Sequence, residues 1–137
     1  MFVAAVGLGE LLLHSALKAI IARERPPIEG RVVFAHGFSF PSGHTAAATA
    51  GALAIALVFG RDKSRRTQAL LAGGAALVAI SVATSRALLG VHWLSDVIAG
   101  LAVGWGWFMI VAIIFGGRRQ RLGDPVAVIA APPAART

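Results

Sequence analysis

The chain has 137 residues, of which 57% are hydrophobic and only 14% charged, with a formal net charge of +7. Soluble globular domains carry about 25% charged residues, so this composition points to a bilayer and excludes a chain that is mostly disordered. Cysteine is absent, which excludes disulfides, thiolate metal sites and cysteine nucleophiles. The excess of basic residues falls between apolar runs, so anionic lipid surfaces or phosphate-bearing substrates are the expected partners and nucleic acid is not.

Four apolar stretches follow in chain order: about Met1 to Ala22, Thr45 to Phe59, Ala69 to Leu89 and Val97 to Phe115. Roughly 20 apolar residues cross a bilayer core as a helix. The first, third and fourth stretches reach or approach that length; the second is short but rich in alanine, and is expected to extend through His44 or to tilt little. None shows the alternation of barrel strands. The expected fold is therefore all-α, a helical transmembrane bundle of about four spans. Glu10, His14 and Lys18 interrupt the first stretch and no basic region precedes it, so it does not read as a signal peptide. Residues 1–121 are expected to form the membrane domain. Residues 122–137, with Asp124-Pro125 and Pro132-Pro133, read as a disordered tail.

Short basic connections set the expected orientation. Arg61, Lys63, Arg65 and Arg66 lie between the second and third stretches, and Arg118, Arg119 and Arg121 follow the fourth. Both groups fall on one side, expected to be cytoplasmic. The loop from Arg23 to Phe40 and the turn from Gly90 to Ser95 fall on the other. That outer side nevertheless carries Arg23, Arg25, Arg31 and Arg86, against the simple rule, and so calls for another explanation.

Three outer-side clusters supply one. Lys18 and Arg25 are seven residues apart, two helical turns, and share a face if the helix persists to Arg25 before Pro26 ends it. Glu10, His14 and Lys18, spaced by four, add a polar stripe. Ionisable groups inside a span are costly and usually face the bundle interior or water. Pro41-Ser42-Gly43-His44 opens the second span, and unpaired N–H groups at a helix start make an anion site to which Ser42 adds a hydroxyl and His44 a titrating ring. In the third cluster, Arg86 ends the third span, and a guanidinium grips phosphate oxygens bidentately. His92 and Asp96 stand four apart at the start of the fourth span, so the carboxylate is expected to hold the imidazole Nδ1–H and leave Nε2 free. Each cluster alone also fits interfacial anchoring. Together they supply cations for phosphoryl oxygens, backbone donors, a nucleophile with its orienting carboxylate, and an acid.

Lys18…Arg25-Pro26, Pro41-Ser42-Gly43-His44 and Ser85-Arg86…His92…Asp96 resemble, in order and spacing, the three-part signature of the type 2 phosphatidic acid phosphatase superfamily. The resemblance covers about Lys18 to Asp96. It implies that His92 attacks phosphorus to form a phosphohistidine, that Asp96 orients it, and that His44 protonates the leaving oxygen. It further implies that Lys18, Arg25, Ser42, Gly43 and Arg86 bind the phosphoryl group, and that neither metal nor cofactor takes part. Membrane members similar to this one usually have six helices, two of them before the lysine-bearing helix. Four are expected here, so the chain reads as an N-terminally short form. The expected function is an integral-membrane phosphatase for a lipid phosphomonoester or diphosphate, its site on the extracytoplasmic face of the cell membrane. A lipid phosphotransferase using the same phosphohistidine and a non-catalytic truncated fragment are the alternatives.

Elsewhere the plainer readings are preferred. Gly100 and Gly104 read as a close-packing face, Thr45 and Thr49 as bonded back to their own helix, Trp105 and Trp107 as packing or lipid contacts, and Glu10 with His14 as a pair inside the bundle. A metal held by His36 and His44 is not expected.

Overall fold

A computed structural model describes residues 1–27, 29 and 32–117. Among these residues the chain forms four helices and no strand: α1 (Phe2–Ile21), α2 (Gly43–Gly60), α3 (Arg65–Leu88) and α4 (Leu94–Gly117). All four are long and apolar enough to cross a membrane, and the chain is an integral membrane protein with the all-α bundle expected. The expected tail and the basic cluster Arg118–Arg121 lie outside the described residues.

The bundle is held together by small side chains, with the large ones turned outward. Its interior is built from Ala46, Ala50 and Ala54 of α2 and Ala75, Ala79 and Ala83 of α3, each set repeating every fourth residue. Leu8, Leu12, Ile55, Leu77, Ile98 and Ile113 are exposed where acyl chains would lie. This inversion suits a bilayer, where lipid is as apolar as leucine and association relies on close backbone approach. Helix α2 packs against all three other helices. Gly100 is part of its contact with α4: a Cβ there would stand 2.7 Å from the Ser42 carbonyl oxygen. Gly104 faces Ala46 and Thr49 in the same way, so the GxxxG is an internal packing face, as expected. Trp107 ties α4 to α1, its Nε1–H donating to the carbonyls of Val6 (3.0 Å) and Ala5 (3.3 Å). Phe2 meets Phe108 and Phe115 edge to face. Trp105 is exposed to the lipid side.

The helix ends determine what reaches the site. Helix α1 stops at Ile21, where Ala22 takes a left-handed conformation (φ 47°) and donates its N–H to the Lys18 carbonyl. The helix thus ends with the apolar stretch, and the condition under which Lys18 and Arg25 would share a helical face is not met. Pro26 constrains only its immediate predecessor, whereas the left-handed cap closes the helix four residues earlier. Arg25 is delivered by the irregular chain that follows α1 instead. Helix α2 begins at Gly43 with Ser42 as its cap, and α3 begins at Arg65 with Ser64 as its cap, the Ser64 hydroxyl accepting from the Thr67 N–H. The C-terminal ends of α1 and α3 and the N-terminal ends of α2 and α4 gather at one end of the bundle. The short basic connection Arg61–Ser64 lies at the other.

Candidate active site

The turn between α3 and α4 sets one wall. Asp96, in the first turn of α4, is fully buried. Its Oδ2 accepts the N–H of Trp93 at 2.9 Å, while its own N–H donates to the Trp93 carbonyl at 3.0 Å. An acidic residue reaching back to the residue before the helix satisfies donors that the first turn leaves unpaired. Its other oxygen, Oδ1, accepts from Arg23 Nη1 at 2.9 Å. The same guanidinium nitrogen donates to Ser95 Oγ at 2.6 Å, and the group lies 5.6 Å from the centroid of the Trp93 ring. Both Asp96 oxygens are therefore occupied.

His92 is buried beside this carboxylate, and here the structure differs from the spacing argument. Nδ1 stands 3.6 Å from Asp96 Oδ2 and makes no hydrogen bond among the described residues. The i, i+4 geometry that would bring the pair together belongs to a helix, but His92 lies two residues ahead of α4, and Oδ2 is already claimed by the Trp93 N–H. Apo sites often hold such bonds long until substrate arrives. Nε2 points the other way, 3.3 Å from Arg25 Nη1. Burial, and then the cations of Arg25 and Lys18, push the His92 imidazole down from 6.5 to about 4 against the opposing pull of Asp96. The ring is thus neutral at ordinary pH, with a lone pair available to an electrophile.

The cations are fixed by backbone carbonyls. Arg25 donates from Nη1 to Val91 (2.7 Å), from Nη2 to His36 (3.0 Å) and from Nε to Gly37 (3.0 Å). Lys18 Nζ donates to the Phe38 carbonyl at 2.8 Å. Arg86, at the end of α3, has Nε 3.2 Å from Ser85 Oγ. Lys18, Arg25, Gly43, His44 and His92 line one pocket of about 320 Å³ together with His14 and Ala47. A neighbouring pocket of about 250 Å³ shares Arg25, His44 and His92 and adds Arg86 and the loop residues 33–36. Two larger cavities, one of them adjoining the first pocket at Ala47, are mostly apolar and hold none of these histidines.

The profile of the PAP2 superfamily matches residues 1–120 of this chain. The chain belongs to that superfamily. It is 38% identical over 117 residues to a lipid A 1-phosphatase from Rhizobium etli, with 76% of this chain and 45% of that protein covered. It is 34% identical over 105 residues to phosphatidylglycerophosphatase B of Bacillus subtilis, covering 73% of this chain and 50% of the relative. The crystal structure of a transmembrane PAP2-type phosphatidylglycerolphosphate phosphatase from Bacillus subtilis superposes with a TM-score of 0.79 at 30% identity, over 88% of this chain and 60% of the other. The chain spans about half the length of the curated relatives it matches.

Within this PAP2 chain the signature residues occupy two layers. Lys18, Arg25, Gly43, His44, Arg86 and His92 line the paired pockets. Ser42 and Asp96 lie behind the wall. Ser42 is fully buried, its N–H donating to the Asp96 carbonyl at 2.9 Å and its Oγ accepting from Thr45 Oγ1 at 3.0 Å. Thr49 bonds back to the Thr45 carbonyl, as expected, whereas Thr45 turns to Ser42. Gly43 is needed for a reason the sequence did not suggest. A Cβ there would stand 2.9 Å from His14 Nε2, so the missing side chain makes room for an imidazole from α1. Arg23, read from sequence only as an outer-side charge, is the ion-pair partner of Asp96. Its one sequence signal was its place among basic residues on the side where the topology rule disfavours them.

Proposed function

We propose that this PAP2 chain is an integral-membrane phosphatase that hydrolyses a lipid phosphomonoester or diphosphate through a phosphohistidine. The observation that carries the reading is the single pocket on which Lys18, Arg25, His44 and His92 converge from α1, the following loop, α2 and the α3–α4 turn. In the first step His92 Nε2 forms a bond to phosphorus while the bond to the leaving oxygen breaks, and His44 donates a proton to that oxygen. In the second, His44 accepts a proton from water as the water oxygen attacks phosphorus. The P–N bond breaks, and phosphate and the original imidazole are released. Asp96 steadies the imidazolium, and Arg25, Lys18 and Arg86 hold the phosphoryl oxygens, where fixed charges act most strongly. No step calls on a metal, so a chelator is expected to leave the rate unchanged.

A lipid substrate is favoured by what adjoins the pocket. Ala47 lines it and also opens an apolar groove of about 580 Å³ between α2 and α3, where Ala48, Gly51, Ala52, Gly74 and Ala75 stand among Ile55, Leu70, Leu71 and Val78. Its small side chains leave room for an acyl or prenyl tail alongside a headgroup in the pocket. The site is assigned to the extracytoplasmic face. The connection at the far end of the bundle is basic, and two of the arginines that break the rule at the near end are engaged, Arg23 with Asp96 and Arg25 with three carbonyls. The test is phosphate release by the purified chain from phosphatidic acid, phosphatidylglycerol phosphate and a polyprenyl diphosphate, with His92→Ala as control. The expected result is release from at least one lipid and a loss of about 10⁴-fold or more in the variant. Undiminished turnover by His92→Ala would refute the nucleophile. Transfer of phosphate to an acceptor lipid in place of water would make the chain a phosphotransferase.

A further inference from the structure

The chemistry proposed above uses one imidazole–carboxylate pair and leaves a second unexplained. Glu10 is 1% exposed on a helix that crosses the membrane, a costly position for a carboxylate. Its Oε1 stands 2.9 Å from Nδ1 of His14. The His14 ring reaches the same pocket as Lys18, Arg25, His44 and His92, with Nε2 2.9 Å from where a Cβ on Gly43 would stand. Four residues of helix separate His14 from Lys18, about 6 Å of depth. His14 and Ala47 therefore form the bilayer side of the pocket, and Lys18 and Arg25 lie toward its outer rim. A lipid entering with its tail in the membrane presents the phosphoryl group to the cations. The alcohol that departs then passes His14. In the neutral tautomer whose Nδ1–H meets Glu10, Nε2 carries a lone pair, which accepts an O–H and has nothing to offer a phosphate oxygen.

We propose that His14, held by Glu10, is a specificity-determining residue that accepts a hydrogen bond from a free hydroxyl on the leaving alcohol, beside the scissile ester. Glu10 locks the tautomer and the ring plane, and Gly43 supplies the space. Lipid phosphates with such a hydroxyl are thereby preferred to those in which it is acylated or missing. This assignment rests on the phosphatase reading above.

The test compares lysophosphatidic acid with phosphatidic acid of the same acyl chain in the same micelles, two substrates that differ at the neighbouring hydroxyl. His14→Phe keeps the bulk and removes the acceptor. Its ratio of kcat/KM for the two lipids is expected to fall roughly tenfold toward phosphatidic acid. His14→Gln, which restores an acceptor oxygen, is expected to recover much of that preference. Because the ratio is taken within one preparation, a partly misfolded variant does not disturb it. An unchanged ratio in His14→Phe, or equal losses on both lipids, would overturn the hydroxyl contact while leaving the phosphatase standing. Failure of the unsubstituted chain on both lipids, with release from phosphatidylglycerol phosphate or a polyprenyl diphosphate, would likewise overturn this subsite alone; release from none of the four would remove the phosphatase reading with it.

Discussion

Two histidines in this bundle each have a carboxylate four residues away, and the two pairs are built differently. On α1, Glu10 and His14 lie within one continuous helix and close to 2.9 Å. At the start of α4, His92 and Asp96 straddle the helix boundary and stay 3.6 Å apart. Asp96 is the busier carboxylate, with Trp93 N–H on one oxygen and Arg23 on the other. Spacing brings two side chains to one face only where the backbone is helical. Whether they then bond depends on which other donors reach the carboxylate first.

This contrast orders the expected effects of substitution. Asp96→Asn strikes the most connected group, removing the charge that faces His92 and leaving Arg23 without its carboxylate. A loss in kcat of about 10³-fold or more is expected by comparison with other His–Asp catalysts. A loss under tenfold would show that the 3.6 Å separation persists during turnover and that Asp96 serves only the helix start. Arg23→Ala should cost about tenfold in kcat with little change in KM, since Arg23 reaches the chemistry through Asp96 and does not line the pocket. A change in KM alone would mean that Arg23 meets substrate directly.

The titration of His92 sharpens the same comparison. NMR of ring-labelled histidine should show it taking up a proton near pH 4. In the unfolded chain it does so near 6.5. Between those values acid therefore favours the unfolded state, and below about 4 this contribution levels off. In Arg23→Ala a cation is lost and Asp96 is released toward the ring, so the His92 midpoint should move up. A downward move would contradict the arrangement. The smallest effect is expected from Glu10→Gln, which keeps a hydrogen-bonding partner for His14 but loses the charge. Turnover of phosphatidic acid should change by less than about threefold, because the lost contact lies outside the phosphoryl machinery.

Much of the bundle was legible before any coordinates. Apolar run lengths placed four helices to within a few residues, because a span must hold its backbone hydrogen bonds internally and therefore writes its length into composition. Gly100 and Gly104 were readable as packing positions for the same reason. The gathering of Lys18, Arg25, His44, Arg86 and His92 at one end followed from alternating helix direction. Less was legible where the chain leaves regular structure. The left-handed Ala22 that ends α1 has no glycine to announce it, and Arg25 reaches the pocket from a loop no helical pattern describes. Ser42 carries a hydroxyl suited to phosphate, and nothing in the residue order signals that it would be fully buried and accept from Thr45.

Taken alone, the order of residues determined the solvent this chain folds in, the number of its spans, and which chemical groups come to one rim, all of them consequences of local hydropathy and helix direction. The tertiary structure decided the partnerships: Arg23 with Asp96, Gly43 with the His14 ring, Ser42 with Thr45. Two of these join residues at least 29 positions apart, Gly43 with His14 and Arg23 with Asp96. Pairing over such distances depends on how helices pack and which donor arrives first, and no local pattern along the chain encodes that competition.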